Sequence, residues 1–143
     1  MPNTPGLIGE GVSAFCLGAG AGDLQAALAR QALGPLGAVV QVREDQMDAV
    51  TALSGSGPAY VFLFMEALQA AGEALGLEPA VAFDLAAQTL VGASAMIAQR
   101  AAVTSPGGTT AAALKAFDDA GFRALVQTAL TAARDRGAEL GKA

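Results

Sequence analysis

Short apolar runs set between glycines open the chain. Val12-Ser-Ala-Phe-Cys-Leu17 is one such run and predicts a strand. Asp23 is placed to cap a helix reaching about Leu33, where Gly34-Pro35 stops it. Ala38-Val-Val-Gln-Val42, just after Gly37, predicts a second strand. Strand, helix and strand within about 30 residues is the rhythm of a βαβ unit. Two parallel strands cannot cover both faces of a sheet by themselves. The pattern therefore predicts the remnant of a larger α/β sheet rather than an independent domain.

After Arg43-Glu-Asp45 the alternating pattern stops and helical spacing takes over. A short helix is expected from Asp48 to Leu53, followed by Ser54-Gly-Ser-Gly-Pro58, where Ser56 or Gly57 is placed to cap and Pro58 to open a long helix. That helix should reach about Leu75, with Gly76 as its left-handed stop, a length of roughly 27 Å at 1.5 Å per residue. Its first two turns are apolar nearly all round, which predicts burial on several sides. Pro79 opens the next helix, expected to end near Arg100, with Gly92-Ala-Ser-Ala95 allowing another helix to approach closely. A helix from Thr109 or Thr110 to about Asp118 and a last one after Gly121 complete a bundle with short connections. The fold class expected is thus mainly α, a helical bundle preceded by a short α/β remnant.

Composition narrows the setting. Hydrophobic residues make up 53% of the 143 residues and charged ones only 15%, against a usual charged share of about 25%. The most apolar run, Ala59 to Met65, meets Glu66 long before the roughly 20 residues a spanning helix needs. Burial against another subunit is the better explanation, and a membrane-associated helical protein is disfavoured. A net charge of −5 with no basic patch argues against nucleic-acid binding. The lone cysteine, Cys16, favours a reducing compartment and reads as a buried strand residue. With no histidine and one cysteine, ordinary zinc sites and histidine-based nucleophilic catalysis are excluded, so no metal is expected. Chemistry must come from carboxylates, hydroxyls, backbone amides or a cofactor.

Two glycine-rich segments remain, Ser54-Gly-Ser-Gly-Pro58 and Ser105-Pro-Gly-Gly-Thr-Thr110. Neither has the lysine of a Walker loop, and neither follows a predicted strand as a dinucleotide fingerprint would. Caps and turns explain both. The second has a further capability, because a helix N-terminus stabilises a carboxylate or phosphate, Gly107 and Gly108 admit close approach, and Ser105, Thr109 and Thr110 add hydroxyls. Glu66 is open to two readings, a group beside a substrate or a solvated structural residue.

Met1-Pro-Asn-Thr-Pro5, Gly11-Val-Ser-Ala14, Asp48-Ala-Val-Thr-Ala-Leu-Ser-Gly-Ser-Gly-Pro-Ala-Tyr60, Val103-Thr-Ser-Pro-Gly-Gly-Thr-Thr110 and Gly121-Phe-Arg123 occur in this order along the chain. Together they resemble the pyrroline-5-carboxylate reductases, from the first residue to the last helix. The resemblance implies reduction of the cyclic imine 1-pyrroline-5-carboxylate to L-proline with NADPH or NADH. Residues 1–43 would be the end of an NAD(P)-binding Rossmann domain, and 44–143 a helical domain for dimerisation and substrate binding. It further implies a homodimer or a ring of dimers, a cyclic imino-acid substrate and a cytoplasmic location.

By position, Asn3, Thr4 and Pro5 match the segment bordering the nicotinamide. Ser105, Gly107, Gly108 and Thr109 match the loop receiving the substrate carboxylate, and Thr110 the hydroxyl near the imine nitrogen, the one catalytic candidate. Two departures stand out. Met1 matches an internal methionine of the family, so the glycine-rich turn for the cofactor is not among these residues and activity of this chain alone is not expected. Only Ala98 to Ala102 separate Ile97 from Val103, fewer residues than the family usually has. The alternative function is a non-catalytic helical oligomerisation module.

Overall fold

A computed structural model describes residues 1–97 and 108–141. Strand β1 (Gly11–Phe15), helix α1 (Asp23–Leu33) and strand β2 (Gly37–Gln41) form the expected unit, with β1 and β2 parallel and Gly11 opposite Gly37. Helices α2 (Met47–Val50), α3 (Gly57–Ala74), α4 (Pro79–Ala95), α5 (Thr109–Asp119) and α6 (Phe122–Leu140) follow. The fold is mainly helical after a short α/β segment. None of the helices among the described residues is long and apolar enough to cross a membrane.

The chain divides into two compact units, one of Met1–Tyr60 with Gln127–Ala143 and one of Val61–Val126. In the first, the parallel pair is fixed where it begins. Gly37 has φ +125°, and a Cβ there would run into the carbonyl oxygen of Gly11 and come within 2.7 Å of its nitrogen. A Cβ on Gly11 would in turn lie 2.5 Å from the nitrogen of Gly6. On the same face of β1, Phe15 carries the Arg30 guanidinium 5.3 Å from its ring centre, which ties α1 to the strand. The C-terminal part of α6 belongs to this unit, and Gly137 brings its backbone close to the Asp48 carboxylate.

In the second unit, α3 ends in a Schellman motif. Leu77 N–H donates to Gly72 O at 3.1 Å and Gly76 N–H to Glu73 O at 2.9 Å, with Gly76 at φ +96°. Gly72 lets the following helix approach, since a Cβ there would meet that of Ala82 at 3.3 Å. Phe64, Phe117 and Phe122 form an aromatic cluster with ring centres 5.4 to 6.4 Å apart.

Several local expectations need correction. Asp23 is the first helical residue rather than the cap; the cap position is Gly22, whose N–H donates to the Gln25 side chain at 3.0 Å. Of the two cap positions expected for α3, Ser56 stands directly before the helix with φ −83° and ψ −15°, while Gly57 is the first residue of the helix. Helix α4 ends at Ala95, short of Arg100, which lies outside the described residues. Its backbone turns at Met96, where three carbonyls converge on one N–H. The first turns of α3 are not covered in the single chain: Phe62 and Leu63 are 62% and 66% exposed. Cys16 lies beyond the end of β1, half-buried, and its thiol donates to Glu44 Oε2 at 2.6 Å.

Two predictions come from these contacts. Gly37→Ala combines left-handed strain with a backbone clash and is expected to cost about 3 kcal/mol in denaturant unfolding. Gly34→Ala, at a helical φ of −50° with only its neighbour Pro35 to crowd the new methyl, should cost much less, about 1 kcal/mol at most. Equal effects would exclude the close approach of Gly11 and Gly37. Separately, the hydrogen bond to Glu44, with burial second, holds the Cys16 thiol above its ordinary pKa. Glu44→Gln removes the carboxylate, lowers that pKa and increases the thiolate fraction, so iodoacetamide at pH 8 should alkylate Cys16 faster. An unchanged or slower rate rules the contact out.

Candidate functional site

The N-terminal segment is laid along β1 by three hydrogen bonds. Ala14 N–H donates to Met1 O at 2.9 Å, the Met1 amino group donates to Ala14 O at 2.8 Å, and Val12 N–H donates to Asn3 Oδ1 at 2.9 Å. Asn3 precedes a 3-10 turn, Thr4–Ile8, which Pro5 favours near its start and Gly9 ends at φ +76°. Of the residues expected at the cofactor, Asn3 and Pro5 are half-buried and Thr4 is exposed. The oxygen of Asn3 is committed to the strand, which leaves its NH2 group for a ligand.

The chain following α2 is wound into a π-helical turn, Thr51–Gly55, closed by Ser56 N–H donating to Thr51 O at 2.9 Å. Thr51 Oγ1 donates to Met47 O at 2.9 Å and Ser54 Oγ to Val50 O at 3.0 Å, so both hydroxyls reinforce the preceding turn. Such turns are frequent at functional sites. This one sits against the N-terminal segment, and a Cβ on Gly55 would lie 3.5 Å from Met1 Sδ and 3.7 Å from Thr51 Cγ2. Between the two segments is a cavity of about 460 Å³, lined by Met1, Asn3, Thr4, Leu36, Thr51 and Gly55 among others. Its size falls within the usual range for small-molecule sites, about 300–1,000 Å³. Sequence reading treated Ser54 to Pro58 as a cap and missed that its first glycine lines one cavity with Asn3 and Thr4. The hydroxyls at 51 and 54, spaced to bond back one turn, were the available signal.

The second set of expected residues lies in the other unit. Gly108 is extended (φ −83°, ψ 179°) at the cap position of α5, with no side-chain cap bond. The first bond inside the helix is Ala112 N–H to Gly108 O at 3.2 Å. The N–H groups of Thr109, Thr110 and Ala111 therefore have no acceptor within the helix, and the positive end of the dipole coincides with them. Thr109 and Thr110 are exposed. Ser105 and Gly107 lie outside the described residues. Glu66, left open between two roles, is solvent-exposed.

The same unit contains an apolar cavity of about 480 Å³ among Phe64, Leu114, Phe117, Phe122 and Val126, with the Arg123–Asp118 ion pair (3.1 Å) at its edge. Sequence reading did not single it out. Outside both cavities, Arg43 grips the Asp45 carboxylate with two hydrogen bonds, 2.9 and 3.1 Å, which hold that carboxyl below its ordinary pKa.

Comparison with known proteins gives a consistent result. Residues 44–140 match a family model described as pyrroline-5-carboxylate reductase dimerisation. The chain is 42% identical over 150 residues to a pyrroline-5-carboxylate reductase of Arabidopsis thaliana, covering 99% of this chain and 54% of that protein. Its structure is similar to that of a Coxiella burnetii pyrroline-5-carboxylate reductase, with TM-score 0.93, 43% identity, and 98% and 55% of the two chains covered. A Plasmodium falciparum pyrroline carboxylate reductase, solved with NADP bound, has TM-score 0.87 at 33% identity over 99% of this chain and 61% of that one. The chain thus spans about half the length of the curated relatives it matches.

Proposed function

The chain belongs to the pyrroline-5-carboxylate reductase family, and from that premise we propose that it is the substrate-binding and dimerising part of an enzyme that reduces 1-pyrroline-5-carboxylate to L-proline. Residues 1–43 are the end of the nucleotide-binding domain, and 44–143 form the helical domain. The protein acts in the cytoplasm as a homodimer or a ring of dimers.

The observation that carries the substrate reading is the start of α5. An extended Gly108 and the first-turn N–H groups of Thr109 and Thr110, which have no acceptor within α5, offer a receptor for a carboxylate. Ser105 and Gly107, outside the described residues, are assigned to the same receptor by the family resemblance. Thr110 places its hydroxyl near the imine nitrogen, which is protonated by solvent, or with help from Thr110, as hydride reaches the carbon of C=N. The cavity beside Asn3 and Thr4 fits the nicotinamide end of NADPH or NADH in size, and Pro5 stiffens its border. A bound reduced nicotinamide supplies the hydride. The chain's residues hold the two rings in place and fix the carboxylate.

The dimer reading is supported by the description of the matched family and by exposed apolar side chains on one helix, Phe83 at 47% and Val91 at 62%. Close helix approach around Gly92 and Ala93 would cover them. A non-catalytic oligomerisation module would share this surface but has no need of a carboxylate receptor at α5.

Titration of the 143-residue chain with L-proline, followed by amide NMR, tests the receptor. Shifts at Gly108, Thr109 and Thr110 that saturate in the millimolar range are expected, and Thr110→Val should weaken them severalfold. No shift at these amides excludes the substrate assignment. Sedimentation across micromolar concentrations tests the assembly. A discrete dimer or multiple of dimers is expected, and a compact monomer throughout would defeat the reading.

A further inference from the structure

Gly55 is a glycine that the backbone does not require. It has no positive φ, unlike Gly9, Gly37 and Gly76. A Cβ built on it meets its nearest atoms at 3.5, 3.7 and 3.9 Å, which is ordinary van der Waals contact. The residue lies inside a hydrogen-bonded helical turn, where alanine is more stable than glycine by about 0.5–1 kcal/mol. By the needs of the fold alone, alanine would serve better at this position. Gly11 and Gly37 differ, because their own chain would clash with a side chain.

What the missing methyl leaves open is the cavity beside Asn3 and Thr4. The atoms that a Cβ would meet are Met1 Sδ and Cγ and Thr51 Cγ2, and both residues line that cavity together with Gly55 itself. A methyl at 55 would therefore project into the space rather than into the protein. Thr51 has its hydroxyl turned back to Met47 O, and Met1 contributes its thioether, so this wall is apolar and suited to the face of a flat ring.

We infer that Gly55 is a binding residue of the nicotinamide pocket, its bare Cα being the surface on which the ring lies. This rests on the reading of the cavity as the nicotinamide site. The π-helical turn is the device that brings position 55, rather than a neighbour with a side chain, to that wall.

The test uses the 143-residue chain and nicotinamide mononucleotide in reduced form as the probe, with amide NMR for binding and thermal unfolding for stability. For the unaltered chain, shifts at Asn3, Thr4, Thr51 and Gly55 are expected. Gly55→Ala should bind about tenfold more weakly while its unfolding midpoint stays the same or rises. A merely structural glycine would lower both together, and that result overturns the inference, as does unchanged affinity. Shifts at Asn3 and Thr4 without any at Thr51 or Gly55 would leave the pocket standing and remove Gly55 from it. No shift at any of the four would remove the nicotinamide reading and the inference with it. L-Proline in place of the nucleotide, expected to leave these four amides unmoved, separates a nicotinamide site from a general site for small rings.

Discussion

The approach of Gly11 to Gly37 is the constraint on which the first unit depends. Two backbones meet there more closely than any side chain permits, and Gly6 presses on Gly11 from the other side. This sets the register of β1 and β2 from their first residues. It also fixes where the segment Met1 to Asn3 can lie, because Val12, the next residue of β1, is bonded to the Asn3 side chain. The cavity beside Asn3 and Thr4 thus follows from a strand pairing rather than from any loop of its own. Displacing β1 by one residue would turn its side chains to the opposite face and carry Asn3 away with it.

Much of this architecture was legible in the sequence. Glycines that end elements were read correctly where their reason is local: Gly76 and Gly121 take positive φ at helix ends, as the pattern around them requires. The strands were found within two residues of their bounds because apolar runs between glycines admit few alternatives. Where hydrogen bonding departs from the regular ladder, pattern reading failed. The segment Thr51 to Gly55 has helical spacing, but one inserted residue shifts its bonding from four residues to five, and periodicity does not register that shift. Cys16 was placed in a buried strand by the apolar run around it, whereas the strand stops one residue earlier and the thiol turns to Glu44.

The candidate site was legible in a different way. Asn3, Thr4 and Pro5 were named from family resemblance alone, since nothing in their spacing marks a ligand, whereas the residues around Gly108 were read first as an anion site and given their substrate roles by the resemblance. Physical reading of the sequence added only the anion-binding capability of a helix start with two glycines before it. The meeting of Met1 with Gly55 lay outside both approaches. It joins two segments far apart in the chain through contacts that neither local pattern contains.

The remaining question is what stabilises so apolar a chain. Among the described residues the buried apolar side chains are Ala14, Ala52, Ala82 and Ala86, all of them alanine. Burying a methyl group contributes only about 0.8 kcal/mol, against about 1.5–3 kcal/mol for a full leucine or phenylalanine side chain. Many of the leucines among the described residues stay largely in solvent: Leu63 and Leu125 are each 66% exposed. Ordering each residue costs more than 1 kcal/mol of backbone entropy, so methyl groups cannot hold these helices in place by themselves. The small buried residues set how closely helices approach, and the large exposed ones contribute their burial only when another surface covers them. On the proposed dimer reading, fold and assembly would be one thermodynamic event, the behaviour of an obligate dimer whose separated subunit has little stability of its own.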